Sequence, residues 1–215
     1  MKIIKPSVEI LNKNLSEKEV LKNLENIGRV CYKSEKFITE DSYINFIKKI
    51  IRNNHLSILE HFSISVRIIC DRGVSHELVR HRIASYSQES TRYVKYDDLE
   101  VIMPCFFSEF SSDCKLKYWE EAMKQAEHWY TGLIESGCTP QEARAVLPNS
   151  LKTEIIVTMN LRSWRHFLKL RCSPAAHPQM IQIAYILLEK MYNYLPIIFN
   201  DLWENFSNER KMGSS

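Results

Sequence analysis

Residues 62–70 alternate without a break: Phe62, Ile64, Val66, Ile68 and Cys70 fall on one side, and Ser63, Ser65 and Arg67 on the other. A period of two marks a strand with one buried face, because successive side chains point to opposite faces of a sheet. A second run rich in β-branched residues, Thr153 to Asn160, reads as another strand, far away in sequence. Around these two, apolar residues recur at helical spacing. Val20, Leu21, Leu24, Ile27 and Val30 mark a helix over Glu17 to Lys33, and Ile44, Ile47, Ile50 and Ile51 mark one over Ser42 to Asn53. Gly73 to His81 reads as helical. Asp113 to Ser136 reads as a long amphipathic helix with Trp119, Ala122, Ala126, Trp129 and Leu133 on its apolar stripe, closed by Gly137. Thr139-Pro140-Gln141-Glu142 has the form of a capping box with proline at the first helical position, opening a short helix that stops near Pro148. Ser163 to Arg171 and Pro174 to Tyr194 read as helices, the second with Ser173 as N-cap. Pro196 divides the latter from a last apolar helix bearing Phe199, Leu202, Trp203 and Phe206. Residues 87–103 hold no clear period and read as loop plus short strands. The mixture predicts an α+β fold, a small mixed or antiparallel sheet surrounded by helices. It fits one domain over residues 1–215, with a disordered tail from about 210. Each strong strand runs straight into an arginine-bearing segment, so polar chemistry is expected at strand ends and the adjacent helix starts.

Several classes of function fit poorly. No apolar run approaches the roughly 20 residues that span a bilayer, and MKIIKPSVEI has no signal-peptide core. A cytoplasmic protein without membrane partners is expected. With five glycines the chain has neither G-x-G-x-x-G nor a P-loop, so any nucleotide must be held by side chains and helix ends. The net charge of +3 is mild for a general nucleic-acid binder but suits a local arginine cluster. Cys31, Cys70, Cys105, Cys114, Cys138 and Cys172 are scattered with no C-x-x-C pair, which points to reduced thiols rather than a zinc knuckle or redox dithiol. His55 and His61 could ligate a metal, but no third ligand stands at suitable spacing and no metal is expected.

The segment from Glu77 to Arg92, ELVRHRIASYSQESTR, concentrates anion-binding groups. Arginine forks match two oxygens of a phosphate, and the Ser90 and Thr91 hydroxyls can donate to the same anion. The alternative is a solvated polar face in which these arginines pair with Glu77 and Glu89. A second set follows: Arg144, Asn160-Leu161-Arg162, His166 and Arg171. On a helix, Arg162 and His166 lie one turn apart. Any one of these arginines alone is more often a surface residue than a ligand. A basic module binding nucleic acid through Arg80 to Lys95, and an assembly protein with acidic partners, remain as competing readings.

Arg80-His81-Arg82, seven residues, then Ser90 resembles the R-H-R-x7-S signature of the flavin-dependent thymidylate synthases. His55-Leu56-Ser57-Ile58-Leu59-Glu60-His61 is similar to that family's H-x-[ST]-x-x-E-H segment, and Glu142 to Pro148 to its A-R-x-x-L-P segment. Asn160-Leu161-Arg162, His166-Phe167 and Leu170-Arg171 resemble its N-x-R, [HN]-F and L-R run. The blocks keep their order from about residue 50 to 180. The resemblance implies reductive methylation of dUMP to dTMP, with methylenetetrahydrofolate giving the carbon, FAD carrying hydride and NADPH as reductant. It also implies a homotetramer whose sites draw on several subunits. By the same resemblance Ser57, Arg80, His81, Arg82, Gln88, Asn160, Arg162 and His166 would bind FAD. Glu77, Arg80, Gln88, Glu89, Ser90, Thr91, Arg92, Arg144 and Arg171 would bind dUMP. The two histidines at 55 and 61 would then be satisfied buried residues or contacts at the flavin edge.

Arg171 is the expected catalytic group. Uracil reacts poorly at C5 until negative charge develops over N3 and the carbonyl oxygens, and a guanidinium against that edge would stabilise it. Ser90, set among arginines without a base, reads as a phosphate ligand rather than a nucleophile. The signature holds no cysteine, which is consistent with flavin hydride chemistry replacing a cysteine nucleophile. Two positions depart from the family pattern: position 77 is glutamate where many members have glutamine, and position 88 is glutamine where many have glutamate.

Overall fold

The computed structural model describes residues 1–31, 33–107 and 114–212, with side chains described as far as Phe206. In chain order it has β1 (Lys2–Ile4), β2 (Ser7–Ile10), α1 (Glu17–Val30) and α2 (Ser42–Arg52). A 3₁₀ segment, Leu56–His61, leads into β3 (Ser63–Asp71), which passes directly into α3 (Arg72–Leu78). Then follow β4 (Ser85–Gln88), β5 (Glu100–Ile102), α4 (Cys114–Glu135), α5 (Pro140–Ala143) and β6 (Lys152–Asn160). The chain continues through α6 (Leu161–Arg171), α7 (Pro178–Tyr194) and α8 (Pro196–Met212). Residues 213–215, the end of the expected tail, lie outside the described residues.

The two strands legible in the sequence pair with each other along their whole length, antiparallel, at the centre of a four-stranded sheet of order β2-β3-β6-β4. A separate parallel pair joins β1 to β5. This is the expected α+β architecture. One sheet face carries Ile64, Val66, Ile68, Ile155, Val157 and Met159, all buried. They join Trp164, Phe167 and Leu168 of α6 and the apolar sides of α1, α7 and α8 in one core. The other face is mainly polar, with Ile69 and Ile156 partly buried on it. Ser65 and Thr158 hydroxyls meet at 2.8 Å, and Arg67 pairs with Glu9 and Glu154 at 2.9 Å each. That is what strict alternation demands of a sheet packed on one side only.

Three expectations need correction. The α4 stripe is rotated: Met123 and Tyr130 are buried, whereas Trp129 is 58% exposed and Ala122 is exposed. Polar anchors set that rotation. Glu127 accepts from the Leu99 amide at 3.0 Å and pairs with the N-terminal ammonium at 2.7 Å, and the Tyr130 hydroxyl accepts from the Tyr96 amide. Second, α7 starts at Pro178 with His177 as N-cap, not at Pro174. The Ser173 side chain instead accepts from Ala175 N within a turn, and Pro178 supplies the fixed φ that suits a first helical position. Third, α6 starts at Leu161, because Asn160 rather than a later residue caps it, its side chain accepting from Ser163 N at 2.8 Å.

Candidate active site

In the β3–β6 register Asp71 lies opposite Lys152 and Ser63 opposite Asn160. The two helices that follow these strands therefore start at opposite ends of the sheet. Asp71 caps α3 at one end, accepting from Val74 N at 2.8 Å, and Asn160 caps α6 at the other. The eleven residues of α6, about 16 Å of helix, carry its last residue back to α3. There Arg171 meets Glu77, in the last turn of α3, and His81 just beyond it. The Arg171 cluster thus lies at helix C-termini, whereas the contacts of Gln88 and Glu89 with Ser75, Lys152 and Thr153 lie at the strand ends and helix start that the sequence suggested. Carbonyls left unpaired at a helix end favour a cation there.

Arg171 is held on three sides. Its Nε donates to His81 Nε2 at 3.0 Å, Nη1 to Glu77 Oε2 at 2.7 Å, and Nη2 to the Glu77 main-chain oxygen at 3.3 Å. A guanidinium has five N–H bonds, so one remains on each terminal nitrogen. His81 is fixed in turn. Its ring meets Phe167 edge-on at 4.8 Å between centroids, with His166 at 6.4 Å. The Tyr86 hydroxyl lies 2.6 Å from the His81 carbonyl oxygen and 2.8 Å from that of Leu78. Burial pushes that phenol up to about 12, so it stays a donor.

Because His81 Nε2 accepts from a guanidinium, the imidazole is neutral with its proton on Nδ1. Burial first, then the charges of Arg171 and His166, bring its pKa from 6.5 down to about 4. The unfolded chain takes up that proton first. Stability from this contact is therefore complete above pH 6.5 and is lost as the pH falls through about 4. Melting temperatures of the wild type and His81→Asn should differ most at neutral pH and converge as the solution is acidified. A gap that stayed constant with pH would contradict the neutral acceptor.

The end of β4 and the segment after it form a second group. The Gln88 amide donates to Ser75 Oγ at 2.9 Å and Thr153 Oγ1 at 3.2 Å, so it is turned toward α3 and β6. The Glu89 carboxylate accepts from the Tyr96 hydroxyl at 2.6 Å and pairs with Lys152 at 3.4 Å. Lys152 also reaches Glu100 at 3.2 Å. Burial acts against the Lys152 ammonium, yet Glu89 and Glu100 outweigh it and raise its pKa. Ser90 Oγ accepts from Arg92 N, Thr91 accepts from Arg144 at 3.4 Å, and Arg92 reaches Gln141 at 3.5 Å. Arg144 and the 89–92 segment are thereby brought together. A third group lies by the 3₁₀ turn, where Arg162 pairs with Glu60 at 2.5 Å and Ser57 is exposed. His55 and His61 are exposed as well, which corrects the expectation of buried histidines.

Sequence reasoning missed the supporting residues Ser75, Tyr86, Tyr96, Lys152 and Thr153. One signal was available: in Ser85-Tyr86-Ser87-Gln88 the larger residues alternate with exposed serines, the pattern of β4. The inward pull of Tyr96 and Lys152 on Glu89 has no local signature.

The donor set suits an anionic cofactor. Arg80 and Arg82 are exposed and make no ion pair among the described residues. Arg162 has only an exposed glutamate, and His166 stands exposed on the same face of α6. Arg80 and Arg82, forked cations without an ion pair among the described residues, offer what a pyrophosphate requires.

The family model for thymidylate synthase complementing protein matches residues 14–197. The chain belongs to the flavin-dependent thymidylate synthases. A flavin-dependent thymidylate synthase of Geobacter sulfurreducens is 38% identical over 184 residues, covering 81% of this chain and 78% of that protein. One from Mycobacterium avium is 34% identical over 194 residues, covering 83% and 78%. One from Pyrococcus furiosus is 37% identical over 157 residues, covering 72% and 64%. The UMP/dUMP methylase PolB of Streptomyces cacaoi shares the fold, with a TM-score of 0.77 over 96% of this chain and 98% of its own, at 23% identity. As a member of the family this chain is a methyltransferase and a flavoprotein of dTMP biosynthesis. No helix among the described residues is long and apolar enough to cross a membrane.

Proposed function

We propose that this flavin-dependent thymidylate synthase converts dUMP to dTMP with methylenetetrahydrofolate as carbon donor, FAD as hydride carrier and NADPH as reductant, Arg171 activating the uracil ring. The observation that carries the reading is the Arg171 guanidinium, fixed by His81 and Glu77 with two N–H bonds uncommitted. Placed along the pyrimidine edge, those two bonds would meet charge developing on N3 and a carbonyl oxygen. A pre-oriented donor of this kind acts without reorganising as the charge appears. The Streptomyces cacaoi methylase of the same fold was solved bound with 5-Br dUMP, which favours a uracil nucleotide as ligand.

When bound, FAD supplies hydride. The chain's own work is grip and charge. Arg80, His81, Arg82, Ser57, Gln88, Asn160, Arg162 and His166 form the cofactor side. Asn160 offers chiefly its amide nitrogen, because its oxygen already accepts the α6 cap bond. Arg80, Gln88, Glu89, Ser90, Thr91, Arg92, Arg144 and Arg171 form the nucleotide side, with Ser90, Arg92 and Arg144 on the phosphate and Glu77 beside Arg171. The chain works as a single domain in a homotetramer, in the cytoplasm, with sites shared between copies and without nucleic acid or membrane. Sharing would bring the three groups of site residues together across subunits.

An omission assay tests the reading. The complete mixture of enzyme, FAD, dUMP, methylenetetrahydrofolate and NADPH should yield dTMP, and leaving out any one component should abolish it. Full yield without the folate or without FAD would overturn it.

A further inference from the structure

Glu77 stands where the family resemblance implies a nucleotide contact, yet its carboxylate is already engaged. The same residue grips one guanidinium twice, through Oε2 at 2.7 Å and through its own main-chain oxygen at 3.3 Å. His81 closes the third side at 3.0 Å. Neither end of the pair floats in bulk solvent: the side chains are 20% exposed for Arg171 and 34% for Glu77. The residues are 94 positions apart, so the clamp ties the end of α6 to the end of α3.

Building on the dUMP reading above, we infer that Glu77 is a positioning residue for Arg171, fixing the guanidinium so that its two uncommitted N–H bonds face the pyrimidine, rather than a ligand of the nucleotide. An arginine on four rotatable bonds has many orientations, and a forked donor serves the ring edge in few of them. Misplacing a reactive group by about 1 Å can cost 10²-fold in rate. Charge also matters. The carboxylate holds Arg171 at a helix end where the Glu77 carbonyl already favours a cation. Glutamine at this position keeps an acceptor of the same reach and loses the charge, so it should hold Arg171 less firmly but in the same place.

Three measurements on the FAD-bound enzyme test this. Glu77→Ala should lower kcat by about 10- to 100-fold, and Glu77→Gln should recover most of it. The dUMP dissociation constant, read by calorimetry, should move less than about threefold in both. In a double-mutant cycle, Glu77→Ala added to Arg171→Ala should cost nothing further, because the residue it positions is gone. A tenfold or larger weakening of dUMP binding with kcat unchanged would make Glu77 a nucleotide ligand and overturn the inference. Additive losses in the cycle would also overturn it, as would parallel falls in kcat and melting temperature that glutamine fails to rescue. A wild type that binds FAD and dUMP but forms no dTMP would instead overturn the reading on which it rests.

Discussion

Replacing Arg171 with alanine is expected to lower dTMP formation by about 10²- to 10³-fold, the loss that follows removal of one pre-oriented donor from a developing oxyanion. The flavin should still bind, because Arg171 is not among the residues assigned to the cofactor. The fold should survive, because the side chain closes the site rather than the core. Its removal leaves the Glu77 carboxylate without its guanidinium, but that carboxylate is 34% exposed and can turn to water. The structural cost should therefore be small, on the order of 1 kcal/mol. Arg171→Lys is the informative companion. A lysine is a point charge and cannot donate to His81, the Glu77 carboxylate and the Glu77 carbonyl in one plane. It should restore little of the activity. Turnover of dUMP measured beside the visible flavin spectrum checks both variants, and unchanged turnover in Arg171→Ala would remove this residue from the chemistry.

The largest loss of stability is expected from Trp164→Ala. Trp164 is fully buried between the sheet and α6, its indole N–H donating to the Ile64 carbonyl at 3.0 Å. It packs edge-on against Phe167 at 5.6 Å, and Phe167 in turn supports the His81 ring at 4.8 Å. Truncation removes a large apolar surface, leaves a cavity and loses the indole hydrogen bond, which together cost about 3–5 kcal/mol. For a chain of this size that is a fall of roughly 10 °C in melting temperature. Trp164→Phe keeps most of the volume and should cost less. Because the contact chain runs from Trp164 through Phe167 to His81 and Arg171, the alanine variant should also lose turnover below its melting temperature. Thermal unfolding and turnover measured together separate the two effects.

Local pattern made the centre of the fold legible, and tertiary pairing decided the rest. The alternation over 62–70 and the β-branched run over 153–160 give β3 and β6 because each must bury one face. Strand β1 has three residues and β2 four, too few for a period to show, and each exists because a partner strand satisfies its backbone. The outward turn of Trp129 was hidden for a similar reason. Hydrophobicity favoured burying the indole, but the anchors at Glu127 and Tyr130 fixed the rotation of α4. At the site, the resemblance supplied the residue types and their blocks. It could not supply the meeting of α3 and α6 at their C-termini, which follows from the antiparallel register of strands distant in sequence. Nor could it show that Glu77 points at Arg171, that Glu89 is drawn to Tyr96 and Lys152, or that the Asn160 oxygen is spent on a helix cap.

A single-turnover experiment tests the proposed chemistry most directly. The FAD-bound enzyme is reduced with NADPH in the absence of oxygen, freed of excess reductant, and mixed with dUMP and methylenetetrahydrofolate. The expected result is return of the oxidised flavin spectrum with one dTMP formed per flavin, and neither change on that time scale in Arg171→Ala. Flavin reoxidation without dTMP, or dTMP formed while the flavin stays reduced, would contradict it.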